Sequence, residues 1–348
     1  MYRIYLQDKD LEHNPFSIDR PEEFLSSRSI ERRKRQKLAV DLTDLPVAPA
    51  YVKAVSQAGV EIVGRSKWNN TLLVRVHKEK QLRRLQELPF ITRKVKVFAS
   101  PDSVSQRKRT SFRKELSPWE SNGEAYGSAD AQISSLGGKR LHDSGFRGKG
   151  MMIAVFDGGF MNVDKIPAFH GIRLAGLKDF VVPPSDNIFS EMEHGTMVLS
   201  VMAANAPNYY VGVAPEASYL LVRCEDERTE SLAEEDYWAE AAEYADSVGV
   251  DVIILLWDIM ISMMPLRVIV MPSSTDRRRS SRILPLCWQT KVLSASIRLA
   301  MTVWEPGNAS TFLPMPRILS RWAVSIRKVS MLPSVLSVLL PTDASSPM

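Results

Sequence analysis

The chain has 348 residues, of which 45% are hydrophobic and 24% charged, and its formal net charge is +5. This composition is typical of a globular protein of about two domains, and no apolar run reaches the length of a membrane-spanning helix. The positive charge does not indicate nucleic-acid binding, because residues 255–348 hold 11 Lys and Arg against 4 Asp and Glu, whereas residues 1–254 are near neutral. A nucleic-acid surface would instead lie on a folded module or a recognisable arm.

The first 98 residues predict a small α+β domain, because short apolar or β-branched runs alternate with helical segments. The predicted strands are Tyr2–Leu6, 60–63, 71–76 and 95–98. The predicted helices begin at Pro21 and run over 29–40, 49–58 and 78–87. Gly59 is a plausible C-cap of the third helix. The basic run from Arg32 to Arg35 is interpreted as a solvated helix face.

Residues 99–126 are polar and show no hydrophobic period, so they predict a linker. A second domain over residues 127–253 follows, in which predicted strands at 151–156, 218–223 and 250–253 alternate with predicted helices at 194–205 and 231–248. This alternation is typical of a doubly wound α/β sheet. The glycine-rich segment 144–150 lacks the spacing of a phosphate-binding loop and is interpreted as a turn.

Asp157 and His194 are the residues whose sequence context is most typical of catalytic residues. Asp157 ends a buried strand and is followed by two glycines, and His194 begins a helix; α/β folds place their sites at the carboxyl ends of parallel strands. An Asp that accepts a hydrogen bond from one imidazole nitrogen leaves the other to take a proton from a nucleophile. Taken separately, Asp157 is more often a turn residue and His194 a helix N-terminal residue without a catalytic role. The two contexts together favour the functional interpretation.

The remaining histidines and the cysteines lack such a context. The histidines are interpreted as surface or packing residues: His13, His77, His142 and His170. The cysteines, Cys224 and Cys287, form no disulfide framework and no metal cluster, and are interpreted as buried apolar residues.

Four segments carry a resemblance to a known family. The run from Ile153 to Phe160 resembles the Asp motif of the subtilisin-like serine proteases, and residues 193–198 (Glu-His-Gly-Thr-Met-Val) resemble their His motif. Residues 212–217 resemble the turn that follows the His helix, and residues 250–253 resemble the strand that leads into the substrate-binding segment. The N-terminal unit resembles the propeptide of bacterial members, which acts as a folding chaperone and temporary inhibitor. The resemblance implies a subtilisin-like doubly wound parallel sheet, here incomplete, after a small α+β propeptide-like domain.

Residues 254–348 depart from the family pattern. From Leu255 onward the chain holds one glycine, Gly307, and no Gly-x-Ser element, although an α/β domain needs glycines in its tight turns. Loss of one nucleotide near the Ile253 codon explains the departure: regrouping the codon bases permits Asn-Ser-Ser-Leu-Gly after that point and Ser-Ala-Gly-Asn over 297–302. We therefore interpret residues 254–348 as an out-of-frame tail, poorly folded after Ile254. The rival explanation is a genuinely divergent tail.

The resemblance implies hydrolysis of peptide bonds in polypeptide substrates by an Asp-His-Ser triad. Asp157 and His194 would belong to that triad, but the serine and the asparagine that binds the oxyanion are absent from the sequence, so this chain is expected to be inactive. The alternatives are a non-catalytic inhibitor or chaperone module and a truncated product without function. Calcium binding is common in the family, but no motif locates a site and no cofactor is identified. The family is secreted or attached to the cell envelope, although no signal peptide is recognised in residues 1–8.

Overall fold

The computed structural model describes residues 1–98, 123–226, 228, 231–257 and 298–301. Most of the predicted linker and of the predicted out-of-frame tail therefore lies outside the described residues. The described residues form two main sheets. One is antiparallel and belongs to residues 1–98, the N-terminal unit; the other is parallel and belongs mainly to residues 123–257, the α/β unit. The domain boundaries proposed from the sequence remain a prediction.

The N-terminal unit is a four-stranded sheet covered by two helices. Its elements, in chain order, are β1 (Tyr2–Leu6), α1 (Ser27–Gln36), α2 (Pro49–Gln57), β2 (Glu61–Ser66), β3 (Thr71–Arg75), α3 (Glu79–Gln86) and β4 (Ile91–Lys96). The sheet order is β2-β3-β1-β4, and all neighbours are antiparallel. Alternate strand residues pack with the helices, so Ile4, Leu72, Val55 and Leu85 share one core. Helix α1 lies in the long connection between β1 and α2 and contributes no residue to this core.

The sequence places these elements well but misjudges some of them; the helix predicted over 29–40, for example, ends at Gln36. Pro21 begins only a three-residue 3₁₀ helix, Pro21–Glu23. The last strand starts at Ile91, four residues before its predicted start. Gly59 follows α2 with φ of 87°, a left-handed conformation that favours glycine and ends the helix as predicted.

The α/β unit is built on a parallel sheet with helices on both faces. Its elements, in chain order, are α4 (Asp130–Ser135), α5 (Gly138–Asp143), β5 (Met152–Asp157), β6 (Arg173–Asp179), α6 (His194–Ala203), β7 (Asn205–Ala206), β8 (Tyr210–Val211), β9 (Ser218–Arg223), α7 (Glu234–Val248) and β10 (Val252–Trp257). A last strand, β11 (Arg298–Met301), pairs in parallel with β10, and the sheet order is β11-β10-β5-β9-β6. The predicted α/β class is confirmed.

Two differences from the sequence analysis concern this sheet. Strand β6 was not predicted; it lies at the edge of the sheet and is mostly exposed, so its sequence lacks the apolar run that marks β5 and β9. Strand β11 comes from the predicted out-of-frame tail, and β10 continues to Trp257, past the point where order was expected to end. These two segments depart from the expectation that the chain is poorly folded after Ile254, because both are β-strands. For the other tail residues, Cys287 included, it lies outside the described residues.

Period-two alternation in the central strands assigns each face of the sheet to one helix. Ile153 and Val155 of β5 pack with α6, whereas Ala154 and Phe156 pack with α7. Since both faces are covered, β5 and β9 are continuous apolar runs rather than alternating ones. This arrangement carries Asp157 to the carboxyl edge of the sheet.

Helix α7 is covered on its outer side by the N-terminal unit. Trp68, Leu73 and Val97 of that unit belong to the same buried cluster as Phe156 and Tyr237 of the α/β unit. Polar contacts run along the same boundary, where Arg3 Nε donates to Asp236 Oδ1 at 2.6 Å. The two units are therefore docked through a mixed apolar and charged interface centred on α7.

The basic run of α1 is not a solvated face, contrary to the sequence interpretation. Arg32 and Arg33 are 1% and 2% exposed, and both donate to the carboxylate of Asp246 at the end of α7. Lys34 and Arg35 are exposed as predicted. A local charge run cannot reveal this burial, because the carboxylate that receives the arginines lies more than 200 residues away in the sequence.

Candidate active site

Asp157 is the last residue of β5, and each oxygen of its carboxylate has a partner. The side chain is 2% exposed. Its Oδ1 accepts the Gly158 backbone N–H at 2.8 Å, and its Oδ2 lies 2.8 Å from His194 Nδ1. A buried carboxylate with partners on both oxygens has one orientation, so it can hold an imidazole in a fixed position.

His194 is the first residue of α6, and the helix aims its ring at Asp157. Because the Oδ2 of a carboxylate accepts hydrogen bonds, Nδ1 carries the proton and donates it. This tautomer makes Nε2 the nitrogen able to accept a proton. The His194 side chain is 44% exposed, which leaves the ring accessible to a molecule in solution. The structure thus brings together the two residues that the sequence singled out.

Two glycines allow the helix and the strand end to approach closely. A Cβ on Gly195 would lie 2.2 Å from Gly159 O and 2.9 Å from Asp157 Cβ, far inside van der Waals contact. A Cβ on Gly159 would lie 2.5 Å from Glu191 Cβ. The glycines of the two motifs therefore have a packing role: Gly195 sets the distance between α6 and the β5 turn, and Gly159 lets the segment that precedes α6 pass close to that turn.

Arg223, which the sequence analysis did not single out, supports the turn after Asp157. It is the last residue of β9 and is 3% exposed. Its Nε donates to Gly158 O at 2.9 Å, and its Nη1 donates to Asp179 Oδ2 at 2.9 Å. The signal available in the sequence is an arginine ending an otherwise apolar strand, since a buried guanidinium requires acceptors.

The sequence analysis assigned no catalytic role to four histidines and to Cys224, although Cys224 adjoins Asp157, whose backbone O accepts the Cys224 N–H at 3.1 Å. His13, His77 and His170 are exposed, and His142 is buried, where Nδ1 lies 3.1 Å from Tyr126 Oη and Nε2 donates to Val213 O at 3.0 Å. Burial lowers the pKa of His142, so it packs as a neutral ring. Cys224 is 1% exposed, and burial raises the pKa of its thiol, as expected for an apolar packing residue.

Within the described residues, no three or more His, Cys, Asp or Glu side chains are grouped so that they could hold a metal ion. The same part of the chain contains no helix of the length and apolarity needed to cross a membrane.

The docked interface contains a carboxyl group with a strongly raised pKa. Burial on α7 raises the pKa of Glu240 to about 7, and the nearby Glu243 acts in the same direction. Glu240 is half-buried, and its Oε2 accepts the Arg65 backbone N–H at 3.3 Å, a weak compensation for partial loss of solvation. Burial also raises the pKa of Asp236 and Glu243 on the same helix.

We expect the contact between the two units to weaken as the pH rises from about 4.5 to about 7. A carboxyl whose pKa is raised in the docked state contributes stability in full below its undocked pKa of 4.5 and loses it as the pH passes the docked value of about 7. Hydrogen exchange of the β2 amides, corrected for the intrinsic rate at each pH, measures the effect. In the Glu240→Gln variant, the protection of these amides should depend less on pH near pH 7. A pH dependence equal to that of the unmodified protein would contradict the role given to Glu240.

Comparison with known families identifies the N-terminal part of the chain. Residues 1–115 match the model of the peptidase S8 propeptide domain of Bacteroidota. A search of curated proteins finds no match.

Among solved structures, the chain is similar to subtilisin-like proteases. The MycP3 protease of the type VII (ESX-3) secretion system is 26% identical with a TM-score of 0.29, over 37% of this chain and 36% of that one. MycP1 with its propeptide removed is 23% identical with a TM-score of 0.29, over 38% and 40%. Fervidolysin from Fervidobacterium pennivorans, a keratinolytic enzyme related to subtilisin, is 17% identical with a TM-score of 0.37, over 58% and 33%.

The chain thus spans between about a third and two fifths of the length of these relatives. The predicted resemblance of the N-terminal unit to a propeptide of this family is confirmed, because residues 1–115 match the propeptide domain of the S8 peptidases.

Proposed function

We propose that this chain is organised as the precursor of a subtilisin-like serine endopeptidase. Residues 1–98 form its propeptide-like domain, residues 99–126 its linker, and residues 127–253 the first half of its catalytic domain. The observation that carries the proposal is the 2.8 Å contact between His194 Nδ1 and Asp157 Oδ2 at the carboxyl edge of a parallel sheet. The substrates would be polypeptides, and the site of action would be outside the cell or at its envelope, as in the family.

In this proposal His194 moves the proton and Asp157 holds the imidazole. Nε2 of His194 takes the proton of a serine hydroxyl as its Oγ bonds to the carbonyl carbon of the peptide, and then gives that proton to the leaving amine. Asp157 remains ionised and stabilises the imidazolium that forms between these steps. The buried carboxylate of Asp157, which has a partner on each oxygen, suits this task because it fixes the orientation of the imidazole.

We further propose that the chain as written does not complete this chemistry, because its reading frame shifts near Ile253. The support is that residues 255–348 contain no Gly-x-Ser element. Without the oxyanion-binding asparagine, turnover would fall about 100- to 1000-fold, and without the serine the covalent route is lost.

We expect no peptide hydrolysis above background by the purified chain, and no change on His194→Ala. Restoring one nucleotide at the Ile253 codon, in a gene long enough to include the family's serine motif, should produce hydrolysis. In that repaired protein, His194→Ala should lower turnover by about 10⁴-fold or more. His170→Ala, at an exposed histidine away from Asp157, is the matched control. Hydrolysis by the unrepaired chain that His194→Ala leaves intact would refute the assignment, and resequencing the gene tests the frame directly.

A second function is favoured by the docking of the N-terminal unit on α7. Through that contact the unit could act as an inhibitor or folding chaperone of an intact relative, with no chemistry of its own. Because that contact is occupied within this chain, residues 1–98 alone are added in excess to an active relative; they should slow proteolysis, and an unchanged rate would reject the inhibitor role.

A further inference from the structure

The N-terminus of α1 caps the C-terminus of α7. The Ser26 backbone N–H donates to Ser247 O at 2.9 Å, and the Ser26 hydroxyl donates to Val248 O at 2.7 Å. The Ser29 hydroxyl donates to Asp246 O at 2.7 Å. The carbonyl groups of a last helical turn have no partner within their own helix. Residues of the N-terminal unit therefore satisfy the end of a helix that belongs to the α/β unit.

Two arginines of α1 enclose the carboxylate of Asp246. Arg32 Nη2 donates to Oδ1, and Arg33 Nη2 donates to Oδ2 at 2.5 Å. Although burial alone would raise the pKa of Asp246, the two guanidinium charges lower it. Arg33 has a second carboxylate partner, Asp44, within its own unit. Among the described residues, Arg32 Nη2 donates only to Asp246, and the Nε and Nη1 of Arg32 are buried without a partner.

Gly249 and Asp251 complete the surface that α1 contacts. Arg28 Nε donates to Gly249 O at 3.0 Å, and its Nη2 donates to the Asp251 carboxylate. That carboxylate also accepts the Met152 N–H at 2.9 Å, so it is fixed at the start of the sheet. A Cβ on Gly249 would lie 2.6 Å from Ser29 N. This close approach requires glycine, and its φ of 92° favours glycine as well.

These contacts lie at the amino edge of the parallel sheet, whereas Asp157 lies at the carboxyl edge. They come from the connection between β1 and α2, so they are additional to the packing of the antiparallel sheet on α7. We propose that Ser26, Arg28, Ser29, Arg32 and Arg33, which we call the α1 clamp, form a recognition surface. Its partner is an α/β unit that carries Asp246, Gly249 and Asp251, and the clamp holds the N-terminal unit there independently of the covalent connection between the two units.

This inference deepens the propeptide role proposed above and rests on it. The clamp selects its partner because Arg32 depends on one carboxylate: an α/β unit without an acid at that position would bury an unpaired guanidinium. A related α/β unit with a bulkier residue in place of Gly249 would also meet the backbone of α1. The N-terminal unit should therefore bind its own kind of α/β unit in preference to relatives that lack this pattern.

The test uses the full chain with a site-specific protease sequence inserted within residues 99–122 and cut once after folding. The rate at which the two pieces separate is then measured after dilution by size-exclusion chromatography. Asp246→Asn and Arg32→Met should each raise the dissociation rate by about 30-fold or more, as removing one partner of a buried charge pair does. The double variant should raise it by less than the product of the two single effects. Glu235→Gln is the control, because its ion pair with Arg3 is 46% exposed and should change the rate by less than about threefold.

Single effects below about threefold, or effects that multiply in the double variant, would overturn the clamp. If Asp246→Asn fails to fold, Arg28→Ala decides, because the side chain is 35% exposed and its loss leaves the core intact; an unchanged dissociation rate in that variant would overturn the proposal. Immediate separation of the unmodified cut chain would overturn the clamp together with the inhibitor role. None of these outcomes bears on the Asp157–His194 contact. The peptidase proposal is tested separately, by the peptide hydrolysis assay described above.

Discussion

Gly195→Ala is expected to separate His194 from Asp157, although alanine is the better helix former. Helix propensity alone predicts a gain of about 1 kcal/mol at this position. The added Cβ would lie 2.2 Å from Gly159 O and 2.9 Å from Asp157 Cβ, so α6 has to move away from β5. Overpacking of this kind costs about 1–3 kcal/mol, and it acts directly on the candidate site. The low-field proton NMR signal of His194 Nδ1 should weaken or vanish, and the free energy of unfolding should fall.

Gly171→Ala is the matched control for this experiment. A Cβ on Gly171 meets no atom within 4 Å, and the residue lies outside the described helices and strands. The control should leave both the Nδ1 signal and the stability as they are. A Gly195→Ala protein that keeps the signal and gains stability would show that the glycine does not set the distance between the motifs.

Glu243→Ala is expected to release the N-terminal unit from α7. The buried carboxylate of Glu243 accepts the Ser66 hydroxyl at 2.6 Å, the Lys67 N–H at 2.7 Å and the Trp68 N–H at 3.1 Å. Each hydrogen bond to a charged group contributes about 1.5–3 kcal/mol. Since burial raises the pKa of Glu243, the cost of burying the charge offsets part of that sum. We expect a net loss of about 3–5 kcal/mol, because the substitution leaves three buried donors without an acceptor.

Hydrogen exchange of residues 61–75 measures this release, and Glu235→Ala provides the comparison. Glu235 lies on the same helix but is 46% exposed, so its loss should cost less than about 1 kcal/mol. Equal protection of the β2–β3 segment in the two variants would mean that Glu243 does not hold the units together.

The candidate pair of residues and the class of the α/β unit follow from local patterns in the sequence. The continuous apolar runs of β5 and β9 require burial on both faces, and this implies helices on both sides of a parallel sheet. Asp157 at the end of such a run and His194 at a helix start must then meet at one edge. Strand β6 escaped prediction because an edge strand is solvated on much of its surface and leaves no comparable run.

The role of charge along the chain was decided only by the tertiary structure. Arg32 and Arg33 have the local pattern of a solvated helix, and Asp246 has that of an exposed helical acid, yet all three are buried against one another. Likewise Glu243 meets Ser66 across 177 positions of sequence. A charged side chain can be buried only where a partner of opposite charge or a set of hydrogen bonds compensates it, and that partner is supplied by the fold of a distant segment. Apolar periodicity is a local property and could be predicted from the sequence, whereas the pairing of buried charges depends on which surfaces the fold brings together.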